Sequence, residues 1–359
     1  RKHVHSIIEG LNSSFKHSYA YSKTGVDARF KFDVERLEPK ISGVIPLCIQ
    51  KKPGVRDLQN LYRLIKYVRN NKVDIIHGHG AKGGLYARLV AYVCGIKSIY
   101  TPHGGVVHSM FSPTEEKIYS FVEKALYGIT DYFIFESNYT ADAFHLKVGR
   151  STGSWVVNYN GIVMPDLDFL ARQAEKLSFN GLCDDVIHVG VFGMLREQKG
   201  QEWAIRAMLQ LQDKVHLHIF GNGPDKKKLE HLVNVFGVSK SVTFHGDVSD
   251  VMPYMYVMDV VLVPSLFESF GYVAVEAMSC SKPLISTTVG GLQEVVDKES
   301  SIHIESGCAE EIIRAVKLYL DDTNKYKTQA VCLRDRAGEL FSENKMMLNL
   351  KSVYDYLCG

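Results

Sequence analysis

The chain has 359 residues, 42 Lys and Arg against 40 Asp and Glu, a net charge of +2, and 46% hydrophobic residues. That length exceeds one ordinary domain and suits two. The near-neutral balance excludes a uniformly basic polyanion binder, so nucleic acid is not an expected partner, and no apolar run reaches the ~20 residues needed to span a bilayer. Seven scattered cysteines (Cys48, Cys94, Cys183, Cys280, Cys308, Cys332, Cys358) form no C-x-x-C pair. This excludes a disulfide framework and a cysteine zinc site, and it fits a reducing cytosol.

The opening, RKHVHSIIEGL, reads as the inside of a helix, with Val4, Ile7, Ile8 and Leu11 on one face. It predicts that a first strand and its loop are absent from this sequence. Short β-branched runs then alternate with amphipathic stretches: strands at 17–22, 43–49, 73–79, 97–103, 131–135 and 155–159, with helices such as 55–71 and 113–128 between them. Residues 160–185 are polar and turn-rich and mark a boundary. The alternation restarts with strands at 186–193, 216–221, 241–246, 259–265 and 282–287, and it ends in an amphipathic helix over 342–357. The expected fold is α/β, with two doubly wound, Rossmann-like domains facing a central cleft. The first covers 1–163, with the C-terminal helix 342–359 able to pack back on it, and the second covers 164–341. Charge divides unevenly. Residues 1–160 hold 22 basic and 13 acidic side chains, which suggests an anionic partner for that half, although ordinary charge scatter gives the same totals.

Ligands of such sheets bind beyond the carboxyl ends of the strands, and the chemistry-bearing residues fall there. GMLREQKGQEWAIRAM (193–208) leads from a strand into a helix, with Arg196 and Lys199 positioned as a diphosphate clamp. Two solvated loop cations would leave the same trace. FESFGYVAVEAM offers the backbone amides of Phe270, Gly271 and Tyr272 at a second helix start. Gly223, in GNGPDKKKLEHL, and Val248, in FHGDVSDVMPYM, lie in further strand-end loops. These loops suggest a nucleotide site, and no G-x-G-x-x-G follows a first strand to support a dinucleotide instead. Glu268 sits in a strand-end loop and Glu276 inside an otherwise apolar helix. A carboxylate in such a helix needs a partner. A ribose diol and a structural Arg or Lys both qualify for Glu276, and a sugar hydroxyl or a helix cap for Glu268. In the first half, His103 directly follows a strand. His77 and His79 form an H-x-H pair with no third metal ligand at useful spacing, so no metal is expected.

The ordered blocks G-x-L-x-x-x-K-G (193–200), the G-x-G-P turn at Gly221, F-x-G-x-V-x-D-V (244–251), P-S-x-x-E-S-F-G-x-x-x-x-E-A-M (264–278) and V-G-G-x-x-E-V-V (289–296) resemble the retaining nucleotide-sugar transferases of glycosyltransferase family 4, which have the GT-B fold. The first half resembles them less strongly, through 74–79, 100–104 and 160–162. The resemblance implies that Lys199 and Arg196 bind the donor diphosphate and that Glu276 holds the ribose. It further implies that Glu268 and the following amides contact the transferred sugar and phosphate, that His103 contacts the donor sugar, and that 244–251 lies along the base. It implies no metal or other cofactor. The family's arginine after the first glycine is here Met194, which leaves Arg196 as its substitute, and the family's amino-terminal Gly-rich loop is not in the sequence.

The resulting expectation is a retaining hexosyltransferase using a UDP- or GDP-sugar. Its acceptor would be a glycan or polyprenyl-linked molecule in cell-surface polysaccharide synthesis. The enzyme would be cytoplasmic and peripheral on the inner membrane face through basic residues such as Lys51, Lys52, Arg56, Arg63, Lys66, Arg69 and Lys72. Two alternatives stand beside it: a glycosidase using Glu268 and Glu276 about 5–9 Å apart, and a non-catalytic nucleotide-sugar-binding subunit. The first leaves Lys199 and the phosphate-ready loops unexplained.

Overall fold

A computed structural model describes residues 2–24, 28–50, 53–103, 113–149, 153–177 and 185–359. Lys51, Lys52, Gly104, Gly105 and Cys183 lie outside the described residues. The chain divides into two compact units, Arg1–Gly161 with Glu343–Gly359, and Ile162–Ser342.

The first unit opens with α1 (Lys2–Leu11), β1 (Ser18–Ser22), α2 (Ala28–Leu37), β2 (Gly43–Leu47) and α3 (Val55–Asn71). It continues through β3 (Ile75–His79), α4 (Gly80–Cys94), β4 (Lys97–Thr101), α5 (Pro113–Tyr127), β5 (Tyr132–Phe135), α6 (Asn138–Val148) and β6 (Ser154–Val157). Every pairing is parallel. β1 pairs with β2, and a second sheet runs β3-β4-β5-β6. Strands of such sheets are covered on both faces, which explains why Ile99, Tyr100, Phe133 and Ile134 are all buried although their side chains alternate.

A buried ion pair anchors β4 against the helices. Arg88 of α4, with a fully buried side chain, makes a bidentate pair with Glu123 of α5 at 2.6 and 3.1 Å. Its Nε donates to the Gly84 carbonyl at 2.9 Å, and the Tyr100 hydroxyl of β4 donates to Glu123 at 3.2 Å.

The second unit holds α7 (Leu167–Ala174), β7 (Ile187–Phe192), α8 (Gln201–Leu211), β8 (Val215–Phe220), α9 (Lys226–Val235), β9 (Val242–Gly246) and α10 (Met252–Val257). It goes on with β10 (Val260–Val263), α11 (Tyr272–Ser279), β11 (Leu284–Thr287), α12 (Leu292–Val295), β12 (Ile302–Ile304), α13 (Ala309–Asp321) and α14 (Thr323–Leu340). Its single parallel sheet has the order β12-β11-β10-β7-β8-β9. The order reverses between β10 and β7, which makes their carboxyl ends the topological switch point where open α/β sheets bind ligands. The final helix α15 (Glu343–Cys358) belongs to the first unit, where Met346, Leu350, Val353 and Tyr354 pack with Ile7, Leu11, Ile99 and Ile134.

Two elements depart from the sequence reading. The stretch read as a polar boundary contains α7, whose N-terminus is capped by Asp166 accepting from the Asp168 and Phe169 amides and whose Leu170 is buried. Leu167, Leu170, Ala171 and Ala174 do recur at helical spacing, but the helix is only eight residues long and lies between turn-forming and polar stretches that read as a boundary. Strand β12 was not expected, because it has three residues and lies among serines.

Truncating Glu123 to Ala leaves the Arg88 charge buried and unpaired. It should destabilise the first unit by about 3–5 kcal/mol, read as a lowered urea midpoint of Trp155 fluorescence in a Trp203→Phe background. An unchanged midpoint would show that the pair does not hold β4.

Candidate active site

In the second unit the strand-end loops interlock in the order of their strands. The Gly221 amide, after β8, donates to Gly246 O at 2.7 Å, and the Gly193 amide, after β7, donates to Phe220 O at 3.0 Å. Leu195 is held on both sides, its amide donating to Asn222 O at 3.0 Å and its carbonyl accepting from the Asp225 amide at 3.1 Å. On the other flank the Leu266 amide, after β10, donates to Gln198 O at 2.8 Å. The Thr287 hydroxyl, at the end of β11, donates to Ser265 O at 2.8 Å, and the Gly291 amide donates to Glu268 O at 3.0 Å.

This lattice brings together two of the residues singled out in the sequence. Lys199 ends a short 3-10 turn, Glu197–Lys199, and its Nζ forms an ion pair with Glu268 Oε1, across the two loops that flank the switch point. Ser265 Oγ also donates to Glu268 Oε1, at 3.3 Å. Both charged side chains are partly buried. Sequence reasoning had given Lys199 to a diphosphate and Glu268 to a sugar without seeing that they meet. Gly200 makes the contact feasible: its φ is +69°, and a Cβ there would stand 1.9 Å from Pro264 O. Arg196 is exposed at the start of the same turn.

The remaining second-unit residues take different positions. Gly223 donates its amide to Asn222 Oδ1 at 2.9 Å, and Val248 is half-buried in the loop after β9. Phe270 is 2% exposed and its ring packs against Phe341 and Tyr272, so its side chain is core and only its backbone remains for a ligand. Gly271 caps α11 at φ +110°, without any side-chain cap, and Tyr272 begins the helix. The first amides of α11 therefore point their partial positive charge out of its end. Glu276 lies one turn further on, 7% exposed.

In the first unit, four successive strand ends present polar residues in one hydrogen-bonded row. His79 Nδ1, at the end of β3, lies 3.1 Å from His103 Nε2, just beyond β4. His103 Nδ1 lies 3.1 Å from Glu136 Oε2, just beyond β5, and Asn160 Nδ2, beyond β6, donates to the same oxygen at 2.8 Å. His3 of α1 stacks edge-on against both His79 and His103. The H-x-H pair gathers no third ligand around itself, since His77 stands outside the group, but His79 meets two histidines from elsewhere in the chain. One ring nitrogen each from His3, His79 and His103 lies within 4.8 Å of the others. Their positions are 24 or more residues apart, so sequence spacing gave no hint. His77, by contrast, has both nitrogens engaged, with the Tyr354 hydroxyl and Thr101 Oγ1, each at 2.8 Å. Burial holds His79 and His77 well below the usual imidazole range and brings His3 down to about 3, so all three are neutral near pH 7. Glu136, Asn160 and His3 were missed in the sequence. For Glu136 and Asn160 the available signal was a polar residue within three positions of a strand end; for His3, in α1, there was none.

The model of Glycosyltransferase Family 4 matches residues 3–164, and that of Glycosyl transferases group 1 matches residues 185–322. An uncharacterized glycosyltransferase of Methanocaldococcus jannaschii is 29% identical over 239 residues, which is 64% of this chain and 61% of that protein, less than two thirds of its length. The putative glycosyltransferase EpsD of Bacillus subtilis is 28% identical over 292 residues, 78% of this chain and 76% of EpsD. Among solved structures, HepE of Anabaena in complex with UDP-glucose superposes with a TM-score of 0.81 at 20% identity, covering 98% of this chain and 94% of HepE. WaaG, a glycosyltransferase involved in lipopolysaccharide biosynthesis, gives 0.70 at 14% identity, covering 100% and 95%. The two parallel-sheet units are those of the GT-B fold.

Replacing Gly200 with Ala forces both an unfavourable φ and a collision with a backbone carbonyl, and should cost about 2 kcal/mol or more. A thermal melt of G200A that coincides with wild type would contradict this account of the loop.

Proposed function

Since the chain belongs to the family 4 glycosyltransferases, we propose that it transfers a hexose, with retention at the anomeric carbon, from a nucleotide-diphosphate sugar to a glycan or polyprenyl-linked acceptor in cell-surface polysaccharide synthesis. The observation that carries this reading is the Lys199–Glu268 pair at the switch point, beside the start of α11, whose N-cap Gly271 makes no side-chain cap. The UDP-glucose bound to HepE favours a UDP-sugar as the donor.

In this reading Lys199 turns from Glu268 to the incoming diphosphate, with Arg196 adding a second cation. The amides at Gly271 and Tyr272 and the backbone of Phe270 meet phosphate oxygens. Glu268, released, accepts from hydroxyls of the transferred sugar, and Glu276 accepts from the ribose diol. Gly223 and Val248 border the nucleotide. His103 keeps the sugar-contacting role that the family resemblance gives it. The anomeric C–O bond to the diphosphate breaks as the acceptor oxygen bonds to the same face, and the acceptor proton passes to the departing phosphate oxygen. The cations and the helix start stabilise the leaving charge without a metal.

Loss of a charged hydrogen bond of about 1.5–3 kcal/mol predicts that Lys199→Ala weakens nucleotide-sugar binding about 10- to 100-fold. Glu276→Ala should weaken it in the same direction, whereas Glu268→Ala should mainly lower kcat. A thermal-shift panel of UDP- and GDP-sugars reads the binding, because a ligand stabilises the state it binds. Absence of any shift with every nucleotide diphosphate sinks the reading.

Among the described residues no helix is long and apolar enough to cross a membrane. A peripheral contact is proposed instead, through α3, where Arg56, Arg63, Lys66 and Arg69 are exposed together with Leu58 and Tyr62. Replacing the four cations with Gln should abolish co-sedimentation with anionic vesicles. Sedimentation that persists would place the contact elsewhere, and a wild type that fails to sediment would remove it.

A further inference from the structure

We propose that His3, His79 and His103 form a binding site for a divalent cation of the zinc class. A tetrahedral site with metal–nitrogen bonds of about 2.0–2.1 Å has ligand atoms about 3.3 Å apart. His79 Nδ1 and His103 Nε2 already stand 3.1 Å apart, close to one edge of such a tetrahedron, and a nitrogen of His3 completes a face within 4.8 Å. His3 is 9% exposed, and its Nδ1 has no hydrogen-bond partner among the described residues. A buried ring nitrogen in that condition favours a ligand.

The surroundings are those of an oriented metal ligand. Glu136 Oε2 accepts a hydrogen bond from His103 Nδ1 at 3.1 Å and a second from Asn160 Nδ2 at 2.8 Å. This fixes the tautomer that leaves the His103 Nε2 lone pair facing His79, and it forms the carboxylate–histidine arrangement found behind bound metals. Three imidazoles suit zinc over magnesium or calcium, which take oxygen ligands, and the fourth position is left for water.

Metal binding is measured on the metal-stripped full chain without any donor, independently of the transferase reading. Equilibrium dialysis against zinc should find a site lost in His3→Ala and in His79→Ala, with the dissociation constant at least ten times higher. Glu136→Gln should weaken that site about 10- to 100-fold. Cobalt(II) loaded into wild type should give the intense visible bands of a tetrahedral nitrogen site, absent from His79→Ala. Zinc stoichiometry and affinity unchanged in the His3→Ala/His79→Ala double variant would overturn the proposal, because the metal would then sit on other side chains. Should those variants fail to fold, the wild-type spectrum decides alone: only the weak bands of six-coordinate cobalt would equally overturn it.

Discussion

The second unit depends on how closely its strand-end loops approach one another. Leu195 is hydrogen-bonded to the loop after β8, Gln198 to the loop after β10, and Glu268 to the turn before α12. Each loop uses a neighbour's backbone as its partner, so the buried polar groups that a loop normally presents to water are satisfied laterally. The base of the site is thus hydrogen-bonded from loop to loop while its charged tips, Lys199 and Glu268, remain partly exposed. Lys199 and Glu268 meet where the loops after β7 and β10 are hydrogen-bonded to each other, in a partly buried setting where each side chain serves as the other's partner.

The first unit solves the same problem with side chains. Its row of His79, His103, Glu136 and Asn160 crosses the carboxyl ends of β3 to β6, each residue supplied by the next strand in the sheet. Parallel strands in order place equivalent positions side by side, so one polar residue after each strand suffices to build a continuous network. The buried pair of Arg88 and Glu123 fixes β4 through Tyr100, three residues before His103.

The α/β class and the strands of both units were legible because parallel strands, buried on both faces, read as unbroken apolar runs such as IHVGVF and DVVLV. The final helix was legible from Met346, Leu350 and Val353 at helical spacing, which the structure buries. Helix α7 and strand β12 were not: α7 has Leu167, Leu170, Ala171 and Ala174 at helical spacing but is short and set among polar, turn-forming residues, and β12 has only three residues. At the site, the position of Lys199 and Glu268 on strand-end loops followed from pattern, but their pairing did not. It depends on strand order, and nothing in a linear pattern says that β10 lies beside β7. The same limit hid His3 and Glu136 from His103. Phe270 shows the converse: the motif that suggested a ligand contact is satisfied by its backbone, while hydrophobicity sends its ring to the core.

The protein holds a second row of histidines, and the difference between the two is instructive. His188, His218 and His245, on β7, β8 and β9, are joined Nδ1 to Nε2 at 2.9 and 3.0 Å. Burial, reinforced by the neighbouring imidazoles, lowers His218 to about 2, so it stays neutral. A neutral imidazole has one donor and one acceptor, and in this row the central ring spends both on its neighbours, which makes the chain a self-sufficient part of the sheet. The first-unit cluster does not close in that way. Its row ends on a carboxylate at one side, and at the other stands His3, buried against two rings with a nitrogen that no described group meets. Identical side chains at similar spacings thus become structure where their hydrogen-bonding capacity is exhausted, and a candidate ligand set where one lone pair or proton is left over.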